Sequence, residues 1–488
     1  MEESIDHPPS PPEERNPLEA AAPAALESLP AVLGLFSALT IVIGEVIGSG
    51  VFIKPNIIAQ STHGYVGLIL LLWIVCGLVN LCGALAQAEL AAMYPHAGGV
   101  YVFLREAYGR IWGFLWGWGE FWVIRSGAIA ALGTALGITL TELLMASGSS
   151  LAIPLPTLQK SIAIAAILGL ATVNVIGTRW GGAVQNVTTA IKAGFLLFLA
   201  VLPFVAAREH SLAGSELWPR RVEVSLLAGI GSALAGIMWA YDGWGQVTVI
   251  AEEIRNPRRN VPLALAGGVL ILVALYTGAN LGYHLTLPSA AIAAAPIPAV
   301  AVTQALLGDW GARLMLAMIL VSVFGAMNSN ILVGPRVLFA VARDHDFLSP
   351  LRHVDPRFRT PAIAIGTLCG WSILLILGGD LRLPGGTEKA GAKPLFDVLT
   401  EYAIFGGSLF YLAAVVAVYV LRRKRPDVAR PYRTWAYPAS PAVFIGFYLF
   451  LLATMLWAAP RQCLTGLLLI GLGGIVYWLC QRGKSWNS

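Results

Sequence analysis

The chain has 488 residues, of which 57% are hydrophobic and only 12% charged. Soluble domains carry about 25% charged residues, so this composition excludes a water-soluble enzyme or binding domain and points to a polytopic membrane protein. The net charge of +5 carries no nucleic-acid signature, because the basic residues gather in loops on one side of the expected membrane.

Residues 1 to about 30 are rich in Pro, Glu and Ala and poor in large apolar side chains. Such a segment buries too little to fold, so a disordered cytosolic tail is expected; it lacks the basic start of a cleavable signal. A membrane span needs about 20 apolar residues, and that rule predicts an all-α membrane protein with twelve transmembrane helices. Helix 1 covers about 33–60, helix 2 65–93, and an amphipathic piece about 98–108 follows. Helices 3, 4 and 5 cover about 111–145, 160–178 and 184–206. Helices 6, 7 and 8 cover about 224–253, 262–285 and 310–342. Helices 9 to 12 cover about 361–378, 395–421, 438–458 and 462–480. The helices form one domain, about 31–480, and residues 481–488 form a short cytosolic tail.

Helix 1 contains Gly44-Glu-Val-Ile-Gly-Ser-Gly-Val-Phe52. Glycine costs about 1 kcal/mol in a helix interior, so a helix with Gly48-Ser49-Gly50 at its middle is expected to break. In a membrane, freed backbone groups survive only where they line a cavity or bind something. Close helix packing is the competing reading, because small residues at this spacing also serve it. Helix 6 has its own interruption at Tyr241-Asp242-Gly243-Trp244-Gly245. The two breaks lie five helices apart, and an odd spacing puts the two halves into the membrane from opposite sides. That is the pattern of a 5+5 inverted repeat, about 33–206 and 224–421, with helices 11 and 12 outside it. Breaks in corresponding helices favour a binding site over packing.

Loop charges orient the chain. With the N-terminus inside, the cytoplasmic loops hold Arg255, Arg258, Arg259, Arg343, Arg352, Arg357, Arg359 and the run from Arg422 to Arg433, as the positive-inside rule requires. Both termini are then cytoplasmic, and Arg208, Arg220 and Arg221 form a mild external exception.

Ionisable groups at mid-membrane cost about 2.5–3.5 kcal/mol on insertion scales, so each one needs a reason. Glu45, Arg125, Lys192 and Asp242 qualify, with Glu120 at the margin. Arg125 reads equally as a structural cation, and Lys192 as a side chain that snorkels to the cytoplasmic face. Asp242 sits inside the helix 6 break, where backbone groups can hydrate or pair it. The cysteines show neither disulfide nor metal-ligand spacing, and no histidine has ligand spacing. No catalytic triad, HExxH or P-loop is visible, so no enzyme, cofactor or metal is expected.

These motifs together resemble the L-type amino acid transporters of the amino acid–polyamine–organocation superfamily, over about residues 33–480. The resemblance rests on Ile43 to Phe52, on Val123-Ile-Arg125 and on Ala190-Ile-Lys192. It rests further on Trp239-Ala-Tyr-Asp-Gly-Trp244 with Glu252-Glu-Ile-Arg-Asn-Pro257, and on Phe324-Gly-Ala-Met-Asn328 followed by Arg336 and Ala342-Arg-Asp344. It implies a leucine-transporter-type fold that works by alternating access in the cell membrane. The implied substrate site comprises Ile43, Gly44, Ile47, Gly48, Ser49, Gly50, Trp239, Ala240, Tyr241, Asp242 and Gly243. The α-carboxylate would dock on amides near Ser49 and Gly50, at the positive end of a half-helix. The α-amino group would meet carbonyls near Ile43, Gly44, Trp239, Ala240 and Asp242. Coupling and gating fall to Lys192, Trp239, Glu45, Arg125 and Asn328. Lys192 stands where sodium-coupled cousins bind a cation, which implies no sodium dependence.

The sequence also departs from the family. Many relatives carry a neutral residue where Glu45 stands, and Glu45 is open to pairing with Lys192, binding a proton or lining the bundle. Residues 146–159 hold no cysteine, so no disulfide-linked heavy chain is expected. The leading expectation is sodium-independent exchange of neutral L-amino acids. The alternatives are a cationic amino acid carrier using Asp242, a proton-coupled symporter using Lys192 or Glu45, and an amino acid receptor that does not translocate.

Overall fold

A computed structural model describes residues 29–146, 153–206, 216–221, 223–378, 395–458 and 460–482. Of the expected tails, 1–30 and 481–488, residues 1–28 and 483–488 lie outside the described residues, as does most of the segment between predicted helices 3 and 4.

The described secondary structure is helical apart from one isolated bridge, Leu33 to Ile254. The chain opens with α1 (Leu35–Val46), α2 (Gly50–Ile53) and α3 (Pro55–Ser61), the last with proline in its first turn, where the missing N–H costs nothing. Next come α4 (Val66–Met93), α5 (Val100–Tyr108) and α6 (Arg110–Gly119). A π-helical turn, Glu120–Ile124, joins α6 to α7 (Arg125–Ala146). The expected uniform helix 3 is therefore interrupted, with Glu120 opening the π turn and Arg125 following it. Such turns widen a helix locally and often mark functional positions. Then follow α8 (Leu155–Ile176), α9 (Thr178–Ala206) and α10 (Val224–Ala240).

The second half of predicted helix 6 differs from expectation. It forms two short 3-10 turns, Trp244–Thr248 and Ala251–Glu253, rather than an α-helix. Beyond it lie α11 (Pro257–Thr286), α12 (Ser289–Ala294) and α13 (Pro298–Asp344). Gly308 is non-helical inside α13 (φ 67°, ψ −157°), so predicted helix 8 is its longer, second part. The chain ends with α14 (Ala362–Gly378), α15 (Leu395–Lys424), α16 (Ala439–Ala458) and α17 (Pro460–Arg482).

Among the described residues, ten helices are long and apolar enough to cross a membrane, and Leu35–Val46 and Ala362–Gly378 are shorter apolar helices. Large apolar side chains cover the outside: Val205 is 81% exposed, Trp457 86% and Leu468 68%. A water-facing surface rarely carries so much contiguous apolar area, whereas hydrocarbon tolerates it. This is a multi-pass membrane protein.

At the centre, α1 packs against α9, α11 and α13. Trp73, Tyr276, Tyr283 and Phe52 are fully buried around it. One end of the bundle is closed by ion pairs. The guanidinium of Arg336 and the carboxylate of Glu253, both fully buried, meet at 2.7 Å, and Thr178 joins them. Nearby, Arg343 holds Glu252 at 2.7 Å. The other carboxylate oxygen of Glu252 accepts the Leu29 amide at 2.8 Å, and Ala97 donates to the first at 3.1 Å. Leu33 hydrogen-bonds Glu253 and Arg255 through its backbone, so residues 29–33 lie as a strap across this end.

Candidate functional site

The α1 helix stops at Val46 and helical structure resumes at Gly50. Between them Ile47 leaves the helical region (φ −73°, ψ 82°). Among the described residues the amides of Ser49, Gly50 and Val51 donate to no acceptor. Three unused N–H groups at the start of a helix form a positive, anion-seeking end. Gly48 and Ser49 are half-buried, while Gly50 is buried.

The carbonyls on the other side of the break are already capped. The ammonium of Lys192 donates to Gly44 and Ile47 oxygens at 2.9 Å each. The hydroxyl of Tyr276 donates to Val46 at 2.8 Å. Ser322 donates to Ile47 and Gly48 at 3.1 Å each. The Ile43 oxygen accepts the Ile47 amide at 2.9 Å. The snorkelling reading of Lys192 is thereby overturned: the side chain is 1% exposed, because two carbonyls inside the bundle offer its charge better partners than a distant interface.

The second break begins where α10 ends at Ala240. Tyr241 to Gly243 turn the chain, and Gly243 has a left-handed φ of 108°. A Cβ there would also lie 2.6 Å from Glu45 Cγ, so glycine is required twice over. The two breaks touch. A Cβ on Gly50 would sit 3.0 Å from Ala240 Cα and 3.1 Å from the Trp239 ring. Tyr276 bridges them, its one hydroxyl proton lying between the Ala240 oxygen at 3.2 Å and the nearer Val46 oxygen. The Lys54 ammonium lies 4.7 Å above the centre of the Trp239 ring, a cation–π contact. The Tyr241 hydroxyl is tied to the Trp73 carbonyl at 3.2 Å. Asp242 is exposed although its neighbours Tyr241 and Gly243 are buried, so the turn of the second break is open at this residue.

Beside this pair lies an ion cluster. Arg125 reaches Glu45 at 3.0 Å, Glu120 at 2.9 Å and the Asn330 side-chain oxygen at 2.8 Å. The partner of Glu45 is thus Arg125 rather than Lys192, whose donors the α1 carbonyls take. Asn328 is not brought to the breaks. It donates to the Gly181 carbonyl at 3.1 Å and to Gln185 at 3.2 Å, within the packing of α9 and α13. The structure adds Tyr276, Ser322 and Asn330 to the site. Lone hydroxyls and amides in apolar helices carry no sequence signal of their own, although Asn330 lies two positions from the motif ending at Asn328.

Comparison with known proteins identifies the family. The amino acid permease family model matches residues 33–479. The chain is similar to the serine/threonine exchanger SteT of Bacillus subtilis (strain 168), with 33% identity over 93% of this chain and 97% of that protein. It is 29% identical to the b(0,+)-type amino acid transporter 1 of Mus musculus, covering 92% of this chain and 88% of the relative. It is also 29% identical to the mouse large neutral amino acids transporter small subunit 2, covering 94% and 83%. The protein is a transporter and not an enzyme. With a family model spanning nearly all of its helices, the chain belongs to the amino acid permease family.

Proposed function

We propose that this protein exchanges neutral L-amino acids across the cell membrane by alternating access, without sodium. The observation that carries the reading is the pair of touching breaks, with unused amides at Ser49, Gly50 and Val51 and an exposed carboxylate at Asp242. The substrate carboxylate docks on the amides and the ammonium group on the helix 6 turn near Asp242. Gly44, Ile47, Val46 and Ala240 offer carbonyls that protein donors already occupy, so the Asp242 turn carries the larger part of amine recognition. Lys192 supplies, on the Gly44 and Ile47 carbonyls, the positive charge that a metal cation would otherwise bring, which supports sodium independence.

The ten long helices, the broken helix 1 and α14 make twelve spans, arranged as two inverted repeats over about 33–206 and 224–421. Both termini face the cytoplasm on the loop-charge argument, and the protein acts without a disulfide-linked heavy chain. The exposed carboxylate of Asp242 favours a second reading, in which a basic side chain is accepted.

Proteoliposomes decide between these readings. They are preloaded with alanine, leucine or arginine, or left empty, and take up the same labelled amino acid without sodium. Uptake of alanine or leucine only into preloaded vesicles is expected. Equal uptake into empty vesicles overturns exchange, and uptake of arginine alone overturns the neutral class.

A further inference from the structure

Half of the hydrogen-bonding capacity of Glu45 is unused. Its Oε1 accepts from Arg125 at 3.0 Å, whereas Oε2 has no donor among the described residues. The side chain is only 5% exposed. Glu120 differs, because its two oxygens take Nε at 2.9 Å and Nη2 at 3.3 Å of the same guanidinium. One cation thus serves two carboxylates, and the excess negative charge falls on Glu45 Oε2.

A weakly engaged hydroxyl lies beside it. Ser329, fully buried on α13, faces the Glu45 carboxylate as a weak donor, and no closer hydrogen bond engages its hydroxyl among the described residues. The charged groups around Glu45 are few. Glu120 flanks it from the π turn, Arg125 from the start of α7, Lys192 from α9 and Asp242 from the helix 6 turn. The donors of Lys192 go to the Gly44 and Ile47 carbonyls, and those of Arg125 are shared among Glu45, Glu120 and Asn330. A buried carboxylate oxygen without a donor is costly, and such groups neutralise rather than stay charged. A proton on Oε2 cancels the excess charge and makes Glu45 a donor, with the Ser329 oxygen as the acceptor at hand.

We propose that Glu45 is a proton-binding site linked to substrate, protonated in the empty carrier and deprotonated when an amino acid's ammonium group enters at the Asp242 turn. Charge is conserved because the released proton carries it away, and the loaded carrier is one unit more negative than the empty one. A zwitterion binds, the Oε2–H bond breaks heterolytically, and the proton leaves to solvent while the incoming ammonium offsets the charge left behind. The mechanical link is Gly243, whose Cα faces Glu45 Cγ so closely that no side chain fits between them. This inference rests on reading the two breaks as the substrate site.

Two measurements on the purified full-length protein test it. In weakly buffered detergent with a pH-indicator dye, saturating leucine or alanine releases up to about one proton per amino acid bound, and affinity rises with pH by at most about tenfold per unit. In Glu45→Gln, release per bound substrate vanishes and affinity becomes flat with pH; Glu45→Asp keeps both. Wild-type binding without proton release, or equal release from the Gln variant, overturns the proposal. Infrared spectroscopy of the substrate-free protein gives the independent arm. A protonated-carboxyl band present at neutral pH and missing in Glu45→Gln is expected, and an unchanged spectrum overturns the proton site. If the wild type binds neither amino acid, the substrate-site reading fails, and the infrared band still decides the proton site by itself.

Discussion

Lys192 shows how one side chain holds a broken helix. Its ammonium takes over two carbonyls that the end of α1 leaves without backbone partners. Leaving a buried acceptor unmade costs about 1–3 kcal/mol, and that cost depends on how the break is arranged at each stage of transport. Lys192→Ala is therefore expected to slow exchange severalfold while changing substrate affinity less. Turnover and dissociation constant measured on the same preparation check this, and a wild-type turnover removes Lys192 from the mechanism. The glycines act through space and backbone instead. Gly50→Leu places its side chain against Ala240 and the Trp239 ring, where a Cβ already has only 3.0 Å and 3.1 Å. Substrate binding is expected to be lost, and unchanged affinity would rule out the proposed carboxylate position. Gly243→Ala meets both a left-handed φ and the Glu45 side chain. A strained backbone costs about 1–3 kcal/mol, to be read as a lower melting temperature.

Among the elements, the buried Arg336–Glu253 pair joins α13 to the 3-10 turn after the second break, and Thr178 at the start of α9 completes it. Neither charged side chain is exposed. Removing one member of a buried pair strands the other and costs about 3–5 kcal/mol, whereas replacing both with apolar residues of similar size costs far less. Arg336→Met is expected to lower stability sharply, and Arg336→Met with Glu253→Leu to recover much of it. Thermal unfolding in detergent compares the two, and additive losses would show that the pair does not act as a unit. The π turn belongs to the same scale. By widening the helix between α6 and α7 it places Glu120 and Arg125 together, on a helix that would otherwise run uninterrupted.

Across the whole molecule, residues 29–33 strap one end of the bundle to the turn that follows the second break. Glu252 is the knot. Burial raises its carboxyl pKa, but the hydrogen bonds and charge of Arg343, with the Leu29 and Ala97 amides, outweigh that and hold it below the usual value. The depressed value sets the sign. The strap is fully stabilised above the ordinary glutamate pKa of about 4.3 and loosens as pH falls through the lower, folded value. Amide exchange at Leu29 and Ala97 is expected to be slow at neutral pH and to rise on acidification beyond the intrinsic rate change. Glu252→Gln is expected to raise it already at neutral pH; equal protection in the variant would show that the carboxylate does not hold the strap.

Three classes of property were legible in the sequence because they are local. Partitioning of apolar runs into hydrocarbon marks the spans, and glycine's poor helix propensity marks the breaks at Gly48–Gly50 and near Gly243. The cost of burying charge singled out Glu45, Arg125, Lys192 and Asp242 before any contact was known. Tertiary structure alone decided their partners. Arg125 reaches Glu45 across 80 positions, and Lys192 reaches Gly44 across 148. It alone revealed that Asn328 packs α13 on α9, that Tyr276 bridges the breaks and that helix 6 resumes as 3-10 turns. Propensity and hydropathy act on neighbouring residues, whereas a hydrogen bond between distant helices depends on how they pack, which no single segment encodes.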